Sequence, residues 1–115
     1  MAATTFLYRP VNQAELDLIA ANGWLAFPPR LPEQPIFYPV LNEDYAAQIS
    51  RDWNVPYYGV GYVVRFAVEE DYLAQFAVQN VGDAQHNELW VPAEQLAEFN
   101  QHIQGKIEVT ATFRR

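Results

Sequence analysis

The clearest periodic signal lies near the C-terminal end of the chain. Ile107, Val109, Ala111 and Phe113 alternate with Lys106, Glu108, Thr110 and Thr112. That is the two-residue period of an antiparallel strand with one face buried. Gly105 precedes the run and marks its start. Tyr57 to Val68, rich in β-branched and aromatic residues, predicts the longest strand, with Gly59 and Gly61 marking a bulge or a close approach. Shorter strands are expected over Thr5–Val11 (closed by Pro10), Trp24–Phe27, Ile36–Val40, Ala77–Val81 and Glu88–Val91. Gly82-Asp83 forms a turn and Pro92 stops the last of these strands.

Helical spacing recurs three times. Asn12 can cap a helix over 12–21, with Glu15 bonding back, Leu16, Ile19 and Ala20 as the apolar stripe, and Asn22-Gly23 as the stop. Asn42, Glu43 and Asp44 suit a second N-terminus, and Tyr45, Ile49 and Trp53 recur every four residues with Ala46 beside them. This predicts an amphipathic helix over 43–53, ended by Asn54 and Pro56. A third helix is expected over 93–101, anchored by Leu96 and Phe99, with Pro92 suited to its first turn. Glu69-Glu70-Asp71 opens a turn or short helical segment to Phe76. Strands and two or three short helices interleave without the long rhythm of parallel βαβ units. The class is α+β with a mostly antiparallel sheet.

Phe27 to Tyr38 breaks every periodicity. Four prolines within its first nine residues, with Arg30 among them, exclude a helix or a central strand. The segment reads as a stiff extended loop. It serves either as a rigid connector or as a face presenting Arg30, Glu33, Gln34, Phe37 and Tyr38.

The 115 residues suit a single domain, 1–115, and half of them are hydrophobic, enough for a real core. No run approaches the roughly 18 apolar residues of a membrane span, and Met1 to Thr5 carry neither the basic nor the apolar region of a signal peptide. With no cysteine there is no disulfide and no thiolate metal site. These features point to the cytoplasm. A net charge of −7, with the basic residues dispersed, argues against nucleic acid and anionic membranes as partners.

Several residues are candidates for chemistry. Glu88 opens a short apolar strand and is well held by its backbone, so it could oppose a developing positive charge or serve as a solvated edge residue. Arg9 lies within the apolar run Phe6–Val11, either pointing to water or reaching an anion in a cleft. His86 and His102 read as surface histidines, and His86 with Glu88 falls short of a metal site. Ser50, the only serine, has no nearby histidine in sequence and is a poor nucleophile candidate. Tyr57 and Tyr58, beside Gly59-Val60-Gly61, could form a stacking surface, with core packing expected of at least one.

Taken in order, three pieces resemble a known architecture. They are Tyr8-Arg9 on a first strand, Ile36–Val40 leading into Asn42–Ala46, and Glu88-Leu89-Trp90-Val91-Pro92 late in the chain. This resembles the minimal ADP-ribosyltransferase-like fold, and nearly the whole chain is similar to small bacterial proteins of the ADP-ribosylation/crystallin type. The resemblance implies NAD as a bound substrate and a protein or other acceptor. Arg9 would contact the NAD pyrophosphate or ribose, and Tyr38 or Tyr45 would lie near the nicotinamide. Glu88 would hold the ribose and stabilise the oxocarbenium as nicotinamide leaves. The chain departs from the family in carrying Phe37-Tyr38-Pro39 where many members have Ser-Thr-Ser, and His86 where they have a second glutamate. The other reading is a non-enzymatic interaction module or homodimer using loop 27–38, with Trp24, Phe27 and Phe37 on its face.

Overall fold

The computed structural model describes residues 3–82 and 86–115. Thr4–Val11 (β1) leads to Gln13–Ala21 (α1) and, past the proline loop, to Ile36–Phe37 (β2). Glu43–Ile49 (α2) runs through a π-helical turn, Ser50–Asn54, into Val55–Tyr58 (α3). Val60–Glu69 (β3), Glu70–Leu73 (α4), Val78–Asn80 (β4), Asn87–Leu89 (β5) and Val91–Pro92 (β6) follow. A 3₁₀ turn, Ala93–Gln95, then enters Leu96–Gln101 (α5), and Ile103–Arg114 (β7) closes the chain. The class is α+β and the strand pairs are antiparallel. The helical pieces outnumber the two or three expected, because several are single turns. Among the described residues, no helix is long and apolar enough to cross a membrane.

The sheet order is β1-β3-β7, so the longest apolar stretch takes the centre. Both faces of β3 are covered. Tyr62, Val64, Phe66 and Val68 face the main core, while Val63 packs with Val40 and Ala46 of α2 on the other side. Phe27, Phe37, Phe66 and Phe99 interlock in that core with tilted or edge-on rings, the closest centroids 4.8 Å apart. Fully burying such side chains contributes about 2 kcal/mol each. Phe27 and Phe37 are therefore core residues and cannot form the binding face expected of the proline loop.

The segment 36–41 ties the rest to this sheet. Its pairing with 87–92 keeps one register: Ile36 opposite Pro92, Phe37 opposite Val91, and Val40 opposite Glu88. The ladder breaks between, where Pro39 has no N–H to give. The single strand predicted over Ile36–Val40 is therefore β2 plus an isolated bridge. At that bridge the N–H of Val40 donates to the Tyr8 carbonyl at 2.8 Å, and its carbonyl accepts from Tyr8 at 2.9 Å. Leu89 N–H donates to the Pro39 carbonyl, and Leu41 N–H to that of Asn87. β5 and β4 thereby continue the antiparallel layer beyond β1.

Other differences have local causes. Trp24–Phe27 forms no strand: Trp24 takes φ 66°, extending the left-handed stop of Gly23, and only its carbonyl joins the sheet, accepting from Ile107 N–H. β7 begins at Ile103, and Gly105, at φ 77°, sits inside it at a register shift. A second shift lies between Ala111 and Val109, so Val109 is exposed despite the predicted alternation. β4 covers only the middle of Ala77–Val81, and the turn placed at Gly82-Asp83 reaches outside the described residues.

The largest departure is the π turn. Asn42 caps α2 as predicted, its Oδ1 accepting from Tyr45 N–H at 2.7 Å. The helix does not stop at Asn54 or Pro56 but runs to Tyr58 and ends at Gly59, φ 82°. Val55 N–H bonds back five residues to the Ser50 carbonyl. That wider turn shifts the inward stripe by one residue. Trp53, expected to follow Tyr45 and Ile49 inward, is 61% exposed, and the Asn54 side chain meets the sheet instead. Tyr57 and Tyr58 belong to α3, not to β3, and both are exposed rather than packed in the core.

Gly61 makes this packing possible. A Cβ there would lie 2.7 Å from the Ser50 carbonyl oxygen and 2.8 Å from Asn54 Cβ. Gly61→Ala is therefore expected to destabilise the protein by about 1–3 kcal/mol, read as a lower denaturant midpoint. An unchanged midpoint would mean that the helix is not seated on β3 at this point.

Candidate functional site

A cavity of about 440 Å³ opens at the edge of β1 where the 36–41 ladder is interrupted. Arg9 and Pro10 of β1 form one side, and Glu88 and Trp90 of the β5–β6 ribbon form the other. Tyr38, Val40 and Ile49 complete the lining. Side chains alternate along a strand, so Glu88 and Trp90 share a face. The Tyr8–Val40–Glu88 row faces α2. Arg9, one residue on from Tyr8, starts from the other face, where its guanidinium lies against Glu15 and the Phe37 ring, and it lines the cavity beside Pro10.

Glu88 is buried, with 8% of its surface exposed. The indole Nε1–H of Trp90 donates to Glu88 Oε1 at 2.7 Å, and the Tyr45 hydroxyl donates to Oε2 at 3.3 Å. Two neutral donors thus hold the carboxylate from different elements. Burial, then the charge of Glu88 and the hydrogen bond to it, raises the Tyr45 pKa above its ordinary 10.0. Tyr45 therefore stays a donor at neutral pH. It supports Glu88 from behind rather than lining the larger cavity. Its ring stacks on His86 at 4.3 Å, and His86 Nε2 lies 3.2 Å from Gln48 Oε1. His102 belongs elsewhere, stacked on Tyr72 at 3.9 Å. Ser50 is fully buried and donates to the Tyr62 carbonyl, a packing role.

Arg9 is also buried, but its charge is matched within the chain. Its Nε and Nη2 donate to the two oxygens of Glu15 at 2.6 and 3.0 Å, and Nη1 donates to the Tyr38 carbonyl at 3.3 Å. The guanidinium also lies 4.7 Å from the Phe37 ring centroid. Three of its five N–H groups are engaged, leaving two for a ligand. Arg30 is close enough for burial and the repulsion of Arg9 to lower its pKa, and its Nε has no hydrogen-bond partner among the described residues. Arg30 and Glu15 line a separate hollow against the proline loop, so the second guanidinium stands there and not on the Glu88 cavity.

Arg9, Tyr38 and Glu88, three candidates widely separated in sequence, thus line one cavity, and Tyr45 stands behind Glu88 outside that lining. Glu15 and Trp90 were missed as site residues. Glu15 was legible only as a capping residue, whereas the spacing Glu88-x-Trp90 on a strand already implied a shared face. Among the described residues, no group of three His, Cys, Asp or Glu is placed to hold a metal ion. No family model, no curated protein and no solved structure matches this chain.

Two outcomes test this geometry. Glu15→Ala leaves the Arg9 guanidinium buried without its anion and is expected to cost about 3 kcal/mol, measured by chemical denaturation. A cost below about 1 kcal/mol would mark the pair as a surface-type contact. Tyr45, with its folded pKa raised, contributes stability that is complete below pH 10 and is lost as pH rises through the raised value. Glu88→Gln removes the charge and leaves the burial, so the Tyr45 phenol should ionise at lower pH in an ultraviolet titration. An unaltered titration curve would separate Tyr45 from Glu88.

Proposed function

We propose that the cavity binds a ribosyl nucleotide, with NAD as the first candidate, and holds its ribose against Glu88. The observation that carries this reading is the buried carboxylate, gripped by Trp90 and Tyr45 on the lining of a hollow that also contains Arg9. A carboxylate accepts hydroxyl protons well, and Tyr38 and Trp90 supply aromatic walls, their centroids 6.4 Å apart and nearly perpendicular. The two spare N–H groups of Arg9 suit a phosphate oxygen.

The reading extends to an ADP-ribosyltransferase-like architecture and to ribosyl transfer. As the bond from ribose to nicotinamide breaks, positive charge develops on the sugar, and a pre-positioned carboxylate in a poorly hydrated hollow stabilises it. Glu88 would carry that role, Arg9 would position the nucleotide, and Tyr45 would keep Glu88 in place. An acceptor nucleophile then takes the ribosyl carbon.

A second reading rests on loop 27–38 as an interaction face. Leu31 beside Leu18 of α1, 55% and 53% exposed, favours it, although Phe27 and Phe37 contribute nothing there.

Calorimetric titration with NAD and ADP-ribose separates the two. Binding that weakens about tenfold or more in Arg9→Ala, with nicotinamide release lost in Glu88→Gln while ADP-ribose still binds, is the expected result. Equal nicotinamide release by the wild type and Glu88→Gln would remove Glu88 from the chemistry. No binding of either nucleotide, together with self-association abolished by Leu31→Asp, would favour the loop face.

A further inference from the structure

The π turn has a consequence on the far side of α2. It throws Trp53 outward, and one turn later Tyr57 follows, 61% and 71% exposed. Their rings lie parallel within 6°, centroids 6.2 Å apart, with Tyr58 next to Tyr57 and also exposed. Exposed aromatic rings grouped in this way form a candidate binding surface. These rings are also backed by a rigid seat, because Ser50 and Asn54 of the same turn press on Gly61.

Beside Trp53 lies a second hollow of about 210 Å³, lined by Tyr45, Gln48, Ile49, Asp52 and His86 together with Trp53 itself. Ile49 separates it from the Glu88 cavity and borders both. Among the described residues its polar groups are the Asp52 carboxylate, the Gln48 amide, the His86 imidazole and the Tyr45 hydroxyl, the last already donating to Glu88. The first three can meet hydroxyls, and none is a permanent cation. Arg51, next to Asp52 in the chain, lies over the Phe113 ring, and Arg115 donates to the carbonyls of Val55 and Pro56. Among the described residues, no guanidinium or ammonium group lines this hollow, and Asp52 opposes an anion.

We propose that this hollow and the ring platform beside it bind a neutral saccharide, one pyranose stacking on Trp53 while its hydroxyls meet Asp52, Gln48 and His86. The apolar C–H face of a pyranose fits the electron-rich face of an indole. Hydroxyls that both donate and accept satisfy the carboxylate, the amide and the imidazole together. Tyr57 extends the platform towards a second sugar ring. The site stands on its own residues and does not depend on nucleotide binding in the Glu88 cavity.

The test is calorimetric titration of the full chain with neutral oligomers of glucose, mannose and N-acetylglucosamine, in α and β linkages, and with a nucleoside monophosphate as the anionic control. At least one neutral oligomer is expected to bind at millimolar concentration or below. Trp53→Ala should weaken that binding about tenfold and Tyr57→Ala should weaken it for oligomers but not for a single sugar. Both rings are largely in water, so both variants should keep the wild-type denaturation midpoint. The proposal is overturned if no neutral oligomer binds, if Trp53→Ala binds the sugars as well as the wild type, or if Trp53→Ala weakens the nucleoside monophosphate as much as it weakens the sugars.

Discussion

Val40 is the joint of this molecule. Its backbone bonds Tyr8 of β1 on one side, and its bridge to Glu88 is closed by the flanking Pro39 and Leu41 on the other. Without it, the three-stranded sheet would end at β1, and the β4–β5 pair would have no place in the layer. The side chain is fully buried between that layer and α2, so backbone pairing and apolar packing act at the same residue. Because Pro39 interrupts the ladder next door, the joint is narrow. That narrowness leaves the opening that Arg9, Tyr38, Glu88 and Trp90 line.

The two buried charges at this opening are handled differently. Arg9 is neutralised by a bidentate partner on α1 and shielded by the Phe37 ring, so its role begins as structural. A buried pair of this kind is costly to break and gives only modest net stability when intact. Glu88 has no cation among its hydrogen-bond partners and is held by neutral donors instead. A carboxylate kept in place without being neutralised retains its capacity to attract positive charge, and this asymmetry makes Glu88 the chemically available member of the two.

The π turn shows how one close approach reshapes a surface. Gly61 has no side chain, so the helix settles onto β3 closely enough for Ser50 to donate to the Tyr62 carbonyl. The extra residue in that turn carries Trp53 from the expected inward stripe to water. A helical repeat of four cannot announce this, because the insertion depends on a glycine in another element.

Much of the architecture follows from local rules. The caps at Asn12 and Asn42, the stop at Gly23, the central strand and the α+β class rest on periodicity, side-chain hydrogen bonding to nearby backbone and the conformational freedom of glycine. All of these act within a few residues. The alternation of Glu88 and Trp90, and the rigidity of the proline loop, were local in the same sense. The pairing of Arg9 with Glu15 needed the return of α1 over β1, and the placing of Arg9 and Glu88 on the lining of one cavity needed Val40 between two strands that are far apart in the chain. The outward turn of Trp53 needed contact with Gly61. These are long-range contacts, decided by how whole elements fill space against one another, and a linear pattern carries no record of which elements become neighbours.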